Sequence, residues 1–225
     1  MNSIRHDERH TAADDVFESL RADIVSLRIE PGAKLSEVEI AKQRDVSRQP
    51  VREAFIRLSN VNLLQIRPQR ATIVRKISRS DLLNSRFVRT AVEIEVVQRA
   101  CKVFDQRKIG FKRNLTQQLR AAVKGDTSRF HLLDYEFHRL LCVAANCEFA
   151  FQTIAENKSH VDRLCMITLA DRDTMESLQK DHIAIFECLQ AGDSDGIVKL
   201  TRNHLSRLDQ ELAAACGKRP EYFED

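Results

Sequence analysis

The sequence predicts a mainly α protein, in which an N-terminal winged helix-turn-helix domain with a small β-hairpin wing precedes an antiparallel bundle of six helices. Residues 36–74 have the pattern of a short helix, a turn, an arginine-rich helix and a hairpin. From residue 78 onward, apolar residues recur at helical spacing and no strand pattern is visible. We therefore expect a mobile arm at residues 1–10, one domain at residues 11–77 and a second at residues 78–225.

The first predicted element is a helix over residues 12–27. Its apolar residues at helical spacing are Val16, Leu20, Ile24 and Leu27. Pro31-Gly32 marks the turn that follows. This helix gives the first domain one apolar face on which the later elements can pack.

A helix-turn-helix comes next. Ser36 and Glu39 have the spacing of a capping box, in which each side chain binds the backbone amide of the other residue. Ser47 is placed to cap a second helix over residues 48–58, and Pro50 falls in its first turn, where an N–H has no intrahelical partner. A helix of this kind can lie in the DNA major groove and present its N-terminal residues to base edges. Two short alternating runs, at 64–67 and 71–74, predict the hairpin wing.

The charge is concentrated on this motif. The whole chain carries a net charge of +3, and residues 79–225 are neutral. Residues 44–76 contain eight Lys and Arg against two Asp and Glu, a local charge of +6. An excess of this size on a helix-turn-helix favours a phosphate-binding face over a basic face that is only solvated. Double-stranded DNA is therefore the expected partner.

The composition favours a globular cytoplasmic protein. The chain contains no run of 18 apolar residues, and its polar, mixed-charge start does not resemble a secretory signal. We therefore expect no membrane association. The six cysteines show no CxxC pair and are predicted to be free thiols.

The second domain is predicted as six helices with short connections. One apolar stripe on its first helix consists of Leu83, Phe87, Ala91, Ile94 and Cys101. Gly125-Asp126 and Gly192-Asp193 each combine a helix stop with the cap of the next helix, and Asn146 ends another helix. Bundles of this type place ligand and metal sites in their cores.

In combination, these features resemble the GntR family of bacterial transcription regulators. The matching segments are Pro31-Gly32, Leu35-Ser36-Glu37, Val46-Ser47-Arg48 and Pro50-Val51-Arg52-Glu53-Ala54, with the wing after them. The helical remainder is similar to the FCD effector domain of the FadR subfamily, and six helices rather than seven suggest the VanR-like branch. The chain departs from the family at Gln69-Arg70-Ala71 and at Asn62, where glycines are usual. The resemblance implies a one-component regulator that binds DNA.

The resemblance also implies a set of DNA-contacting residues. They are Ser47, Arg48, Gln49 and Arg52 in the second helix of the motif, with Arg67 and Arg70 in the wing. The chemistry agrees, because arginine binds guanine O6 and N7 bidentately, glutamine suits adenine, and a serine hydroxyl reaches phosphate. For Arg52 the alternative is an ion pair with a neighbouring acid.

Four bundle residues match the metal site of FCD domains. They are Asp134, His138, His182 and His204. Asp134 and His138 lie one helical turn apart and point the same way, whereas the match to the family pattern identifies the other two. Three histidines and an aspartate suit a divalent ion, zinc above all and otherwise nickel or manganese, with positions left for water or ligand. Arg89 and Asn146 match positions near the family's effector. For Arg89 the alternative is a surface ion pair with Glu93. For Asn146 the alternative is that it only ends a helix.

Three functions are compatible with these residues. The first is a repressor that binds a palindromic operator as a homodimer and responds to a small carboxylate metabolite at the metal. The second is a regulator in which the ion itself is the signal. The third is a metal-dependent hydrolase, but no catalytic residue is apparent beside the metal set, and a hydrolase leaves the basic winged helix unexplained. We therefore predict a regulator that is not an enzyme.

Overall fold

The computed structural model describes residues 11–67, 71–104, 110–169 and 172–225. The chain divides into two compact units between Lys76 and Ile77. The predicted mobile arm, the tip of the predicted wing and Arg70 lie outside the described residues. In the part of the chain that is described, no helix combines the length and the apolar character needed to cross a membrane.

The N-terminal unit begins with helix α1, Ala12–Val25. Thr11 starts it with a complete capping box, because its hydroxyl accepts from the Asp14 amide while the Asp14 carboxylate accepts from the Thr11 amide. The helix ends two residues before the predicted boundary. Leu27 has a φ of 60°, a left-handed conformation that cannot continue a right-handed helix.

The helix-turn-helix consists of α2, Glu37–Arg44, and α3, Arg48–Asn60. Ser36 accepts from the Glu39 amide at 3.5 Å, but the reciprocal bond to the Glu39 side chain is not formed, so only half of the predicted capping box is confirmed. Ser47 occupies the cap position of α3, but its side chain makes no capping hydrogen bond, so the predicted cap is correct in position only. This hydroxyl is therefore not committed to the helix end. The apolar side of α3 is buried in the core of this unit through Val51, Ala54, Phe55 and Leu58.

A three-stranded sheet completes the N-terminal unit. The predicted wing is present as β2, Leu64–Gln65, and β3, Thr72–Val74, which pair antiparallel with Leu64 opposite Val74. An unpredicted strand β1, Lys34–Leu35, pairs antiparallel with the other edge of β3. Two residues are too few for alternating hydrophobicity to be visible in the sequence, which is why β1 was missed. Asn62, just before β2, has a φ of 57°, a left-handed conformation that glycine adopts most readily and that asparagine tolerates.

The C-terminal unit contains the six predicted helices. They are α4 Arg79–Val103, α5 Phe111–Lys124, α6 Thr127–Ala144, α7 Ala150–Thr168, α8 Arg172–Ala191 and α9 Ser194–Lys218. The predicted stop-and-cap signals are confirmed, since Gly125 and Gly192 have φ values of 66° and 67°, and Asp126 and Asp193 each accept from the first turn of the next helix. Asn146, with a φ of 52°, follows the end of α6. Helix α4 packs against α6, α7, α8 and α9.

The predicted apolar stripe on α4 was wrong. Leu83 and Phe87 are 43% and 74% exposed, and Ala91 is exposed as well. The buried side of α4 instead combines apolar and charged residues, which are Leu82, Ser85, Arg89, Glu93, Val96, Val97 and Ala100. The predicted helix is correct, but its buried side was misassigned. Because the buried side contains charged residues, the exposed side has the more continuous apolar pattern in the sequence.

The C-terminal unit also contains a small parallel sheet, which contradicts the prediction of a wholly helical domain. Strand β4, Ile77–Ser78, pairs with β5, Phe223–Glu224, after a 3-10 turn at Pro220–Tyr222. Ile77, Tyr222 and Phe223 are buried. The tail that follows α9 therefore pairs with the first two residues of the C-terminal unit.

Aromatic rings fill the bundle core beside the candidate site. Phe111 stacks on Phe186 at 5.0 Å between ring centroids and meets Phe137 edge-on at 5.6 Å. Phe137 in turn stacks on the His182 ring at 4.1 Å. This packing fixes the plane of one of the four predicted ligands, since a ring stacked on a buried aromatic side chain has little freedom to tilt.

Candidate DNA-binding face and metal centre

The N-terminal turn of α3 presents the predicted DNA-contacting residues to solvent. The side chains of Arg48 and Arg52 are 60% and 56% exposed. Val51 and Phe55, on the opposite side of the same helix, are buried in the core. The helix is therefore anchored by one face while the other is available to a ligand.

A single carboxylate lies between the two arginines. Glu37, at the start of α2, is 3.3 Å from an Nη of Arg48 and 3.4 Å from an Nη of Arg52. Gln49 donates to Glu53 at 2.9 Å. The ion pair considered as an alternative for Arg52 thus exists, but it is long and exposed, and such pairs contribute only about 0–1 kcal/mol. It orients the arginine without removing it from the exposed face.

Other arginines of the N-terminal unit are committed to shorter internal contacts. Arg57 pairs with Asp14 at 2.7 Å and lies 4.1 Å above the Phe17 ring. Arg44 pairs with Asp23 at 2.7 Å. In the wing, Arg67 donates to Gln65 on the same strand segment at 2.7 and 3.0 Å and remains exposed. Local charge alone does not separate these roles, because they depend on contacts across the fold.

The four predicted metal ligands come together in the bundle core. Asp134, His138, His182 and His204 are all buried, and each offers one ligand atom within 4.8 Å of the other three. Asp134 Oδ1 lies 3.4 Å from His182 Nε2 and 3.8 Å from His138 Nε2. Two atoms bound to one zinc ion at about 2.0–2.2 Å lie at most about 4.4 Å apart. The donor set and the 3.4 and 3.8 Å separations therefore fit a divalent cation, whereas the widest separation of 4.8 Å must shorten when an ion binds.

Each histidine of this set has an oxygen beside its Nδ1 atom. His138 Nδ1 is 2.6 Å from Glu93, and His204 Nδ1 is 3.3 Å from Asp181. The Nε2 atoms of His138 and His182 are buried and have no hydrogen-bond partner among the described residues, and the close contact of His138 Nδ1 with Glu93 is not aligned as a hydrogen bond either. A buried polar atom without a partner costs about 1–3 kcal/mol unless something binds it. Metal coordination through Nε2 satisfies these atoms, and ligand histidines usually have their other nitrogen held in this way.

A chain of hydrogen bonds fixes the tautomer of His182. The Leu133 carbonyl can only accept, so it takes a hydrogen bond from Asn114 Nδ2 at 2.9 Å. The Asn114 oxygen then accepts from Gln118 Nε2 at 2.6 Å, which leaves the Gln118 oxygen to accept from His182 Nδ1 at 2.8 Å. With its proton on Nδ1, neutral His182 presents an unprotonated Nε2 toward Asp134.

The electrostatics of the cluster favour cation binding. Burial lowers the pKa of His182 well below its usual range, and His204 adds to that effect. Burial also lowers the pKa of His138, which Glu93 partly opposes. Burial alone would raise the pKa of Asp134, but the ammonium group of Lys158 above all holds that pKa well below its usual range. Neutral imidazoles and an ionised carboxylate are the forms that bind metal.

A small cavity lies against the cluster. Its volume is about 50 Å³, room for a few water molecules or a small organic acid. Its charged and polar lining consists of Arg89, Asp134, His138, Lys158, His204, Arg207 and Glu211. Arg89 is thus at the cavity as predicted, although its Nε is bound to Glu93 at 2.8 Å and this pair is buried rather than on the surface. Asn146 is exposed beyond α6 and does not line the cavity, so the helix-ending role accounts for it.

Four residues around the cluster were missed by the sequence reasoning. They are Gln118, Lys158, Asp181 and Arg207, which contact the ligands or their partners. For Gln118 a signal existed, since it follows Phe111, Asn114 and Leu115 on the buried face of α5 at helical spacing. For Lys158 there was none, because a lysine in a helix is most often on the surface. In all, each of the six helices supplies at least one polar group to the site.

Comparison with known proteins bears on both units. The model of the bacterial regulatory proteins of the gntR family matches residues 12–74, and the FCD domain model matches residues 85–207. The chain is 36% identical over 211 residues to the HTH-type transcriptional repressor RspR of Escherichia coli (strain K12), which covers 93% of this chain and 92% of that protein. It is 29% identical to a probable D-xylose utilization operon transcriptional repressor of Paenarthrobacter nicotinovorans, over 83% of this chain and 82% of that one.

Solved structures share the fold. E. coli McbR/YncC has a TM-score of 0.75 at 19% identity, covering 92% of this chain and 98% of that chain. A putative GntR transcriptional regulator from Rhodococcus sp. RHA1 also has a TM-score of 0.75, at 23% identity and with 90% and 98% of the two chains covered. Similarity at these identities establishes the architecture only.

Proposed function

Because the chain belongs to the GntR family of bacterial transcription regulators and carries an FCD domain, we propose that it is a repressor controlled by a small carboxylate at a divalent-metal site. It is a DNA-binding regulator and not an enzyme. In the proposal, a homodimer binds a palindromic operator through α3, and the metal centre receives the signal. Assignment to the VanR-like branch stays a prediction.

DNA recognition is assigned to the exposed turn of α3. Arg48 and Arg52 are held only by long contacts to Glu37, so they can exchange that carboxylate for guanine or phosphate at small cost. The uncommitted hydroxyl of Ser47 is suited to a phosphate contact. Repression is proposed because two relatives over most of this chain are named as repressors.

The dimer is supported by the outer face of α4. Leu83 and Phe87 lie one turn apart and are exposed in the single chain, with Phe87 at 74%. An apolar helical face of this kind marks an interaction surface, and a second copy would bury it. A dimer also presents two copies of α3, as a palindromic operator requires. We expect Phe87→Asp to shift the protein from dimer to monomer in analytical ultracentrifugation, whereas a dimer of unchanged affinity would place the interface elsewhere.

The metal centre is proposed on one observation above all. His138 and His182 bury Nε2 atoms that have no hydrogen-bond partner in the described part of the chain, and both atoms lie within 4 Å of the Asp134 carboxylate. The residues that would hold the ion are Asp134, His138, His182 and His204. When bound, a divalent ion supplies positive charge and open coordination positions, which attract a carboxylate. The adjoining cavity, with Arg89 in its wall, is the place for the rest of such a ligand.

A second candidate is a regulator that senses the ion itself. The small volume of the cavity, about 50 Å³, favours it over any ligand of more than a few heavy atoms, since the ion and a few waters can fill that space. Metal-dependent operator binding in the absence of any organic acid would support this candidate over the carboxylate.

The metal assignment is tested by elemental analysis of purified protein. We expect about one divalent ion per chain in the wild type and loss of that ion in His182→Ala. His160→Ala is the matched control, because His160 lies on α7, outside the four-ligand set. Equal metal content in the wild type and in His182→Ala would place the ion elsewhere.

A further inference from the structure

The candidate metal centre contains a buried ammonium group that the ligand set does not include. Lys158, on α7, is 2% exposed, and its Nζ lies 2.7 Å from Asp134 Oδ2. The other oxygen of the same carboxylate, Oδ1, is the one nearest His138 and His182. One carboxylate is therefore shared between a lysine on one side and the proposed ion position on the other.

Resting on the proposed metal-dependent function, we propose that Lys158 is an internal counter-cation that opposes metal binding and joins the metal in binding the effector's carboxylate. In the metal-free protein its ammonium neutralises Asp134. In the metal-bound protein it forms, together with the ion, a site for one small anion. Lys158 thereby makes metal occupancy reversible and dependent on that anion.

The pairing of the other cavity cations supports this role for Lys158. Arg89 is bound to Glu93 at 2.8 Å, and Arg207 is bound to Asp181 at 2.5 Å. Neither of these acids belongs to the four-ligand set. Of the cations that line the cavity in the described structure, Lys158 alone has a proposed metal ligand as its closest acid.

Other groups around Lys158 would keep its ammonium in place when Asp134 binds a metal ion. Its Nζ is 3.9 Å from Asp162, one turn further along α7, and 4.6 Å from the centre of the Tyr135 ring. These groups hold the charge beside the cavity without neutralising it fully, because Asp162 also accepts from the Tyr135 hydroxyl at 2.6 Å. A divalent ion would therefore bind next to a fixed positive charge, and the two would repel each other.

A small carboxylate removes that repulsion. It can ligate the ion with one oxygen and accept a hydrogen bond from the ammonium with the other. The anion and the metal must then strengthen each other's binding, because linkage between two ligands is reciprocal. The cavity of about 50 Å³ limits the anion to a few heavy atoms at this position.

The experiment is a competitive Zn²⁺ titration against a chromophoric chelator, on the full-length protein, with acetate as the anion probe. Chloride of equal ionic strength replaces acetate in the reference buffer. The variants are Lys158→Met, which removes the charge but keeps the length, and Lys158→Arg, which keeps the charge. Lys180→Met is the matched control, because Lys180 is exposed on α8.

We expect Lys158→Met to bind Zn²⁺ about tenfold or more tightly than the wild type in chloride, because a nearby positive charge has been removed. Acetate should tighten Zn²⁺ binding in the wild type and in Lys158→Arg, but not in Lys158→Met. Lys180→Met should behave as the wild type does.

Thermal unfolding gives a second readout. Without metal, Lys158→Met should melt below the wild type, since Asp134 loses its counter-ion, and Zn²⁺ should raise its melting temperature by more than it raises that of the wild type. Unchanged or weaker Zn²⁺ affinity in Lys158→Met, or an acetate effect that survives in it, overturns the role of Lys158 and leaves the metal centre standing. Absence of Zn²⁺ binding in the wild type overturns both this role and the proposed metal centre.

Discussion

The two charged regions of this protein differ in how firmly their charges are held. On α3 the arginines are more than half exposed and share Glu37 at 3.3–3.4 Å. In the bundle the charged groups are almost fully buried, and their partners lie at 2.7–2.8 Å, as in the pairs Lys158–Asp134 and Arg89–Glu93.

Because of this difference, the arginines of α3 can exchange Glu37 for another partner easily, whereas the buried groups of the bundle exchange partners only when a strong ligand binds. Exposed ion pairs contribute little to stability, so DNA phosphates and bases can replace Glu37 without disturbing the fold. Breaking a buried ion pair leaves an uncompensated charge in a medium of low polarity. Only a group of comparable charge can therefore take the place of one partner of the pair. A divalent ion meets that condition.

The largest expected effect comes from Asp134→Ala. The change leaves Lys158 buried without its closest carboxylate, and we expect it to lower the free energy of unfolding of the metal-free protein by about 3–5 kcal/mol. Urea unfolding in the presence of a chelator measures it. Asp195→Ala, at an exposed position on α9, should change that free energy by only about 0.5 kcal/mol. Similar losses in the two variants would mean that the buried cluster is no more tightly bound than the surface.

A smaller effect is expected from Gln118→Leu. This change removes the acceptor that holds the proton on His182 Nδ1, and the loss of such a support commonly costs metal affinity about 10- to 100-fold. The Zn²⁺ titration measures it, with Gln210→Leu, at an exposed position on α9, as the control. Equal affinity of both variants for Zn²⁺ would show that the hydrogen-bond chain from Leu133 does not orient the ligand.

On the surface side, Arg48→Ala should weaken operator binding by about 1–3 kcal/mol while leaving binding to unrelated DNA nearly unchanged, if Arg48 reads a guanine. Fluorescence anisotropy on both DNAs measures the two affinities. Arg202→Ala, at an exposed position of the C-terminal unit, is the control. Parallel losses on both DNAs would reassign Arg48 from a base contact to a phosphate contact.

The smallest expected effect comes from Glu37→Gln. Removal of this carboxylate frees Arg48 and Arg52 and removes a negative charge from the DNA-binding face. Operator affinity should therefore rise by no more than about 1 kcal/mol, with little change in stability. A loss of affinity would mean that Glu37 positions the arginines and does not merely compete for them.

Features that depend on a few adjacent residues could be predicted from the sequence, whereas those that depend on long-range packing could not. The helix-turn-helix and the stop-and-cap signals at Gly125 and Gly192 are local, and both are confirmed, because caps and turns depend on a few adjacent residues. The two-residue strands were too short to predict. The buried face of α4 was assigned to the wrong side because Arg89 and Glu93 lie inside.

The metal set was predicted through its resemblance to a family pattern, because spacing alone does not relate His182 and His204 to Asp134. The structure brings the set together. The partners that tune it, Lys158 and Asp181, come from distant helices and have no local signature. Contacts that form only when distant helices pack together therefore cannot be predicted from the sequence pattern.

In the proposed mechanism, ligands at the buried cluster change the affinity of the exposed face for DNA. Its most direct test is operator affinity, measured by anisotropy on metal-free protein, on Zn²⁺-loaded protein and on Zn²⁺-loaded protein with a panel of small organic acids, for the wild type and His182→Ala. We predict that at least one acid changes the wild-type Kd about 5- to 150-fold, and that this change is absent in His182→Ala. A wild-type Kd that is the same in every state, or an equal response in His182→Ala, would contradict the claim.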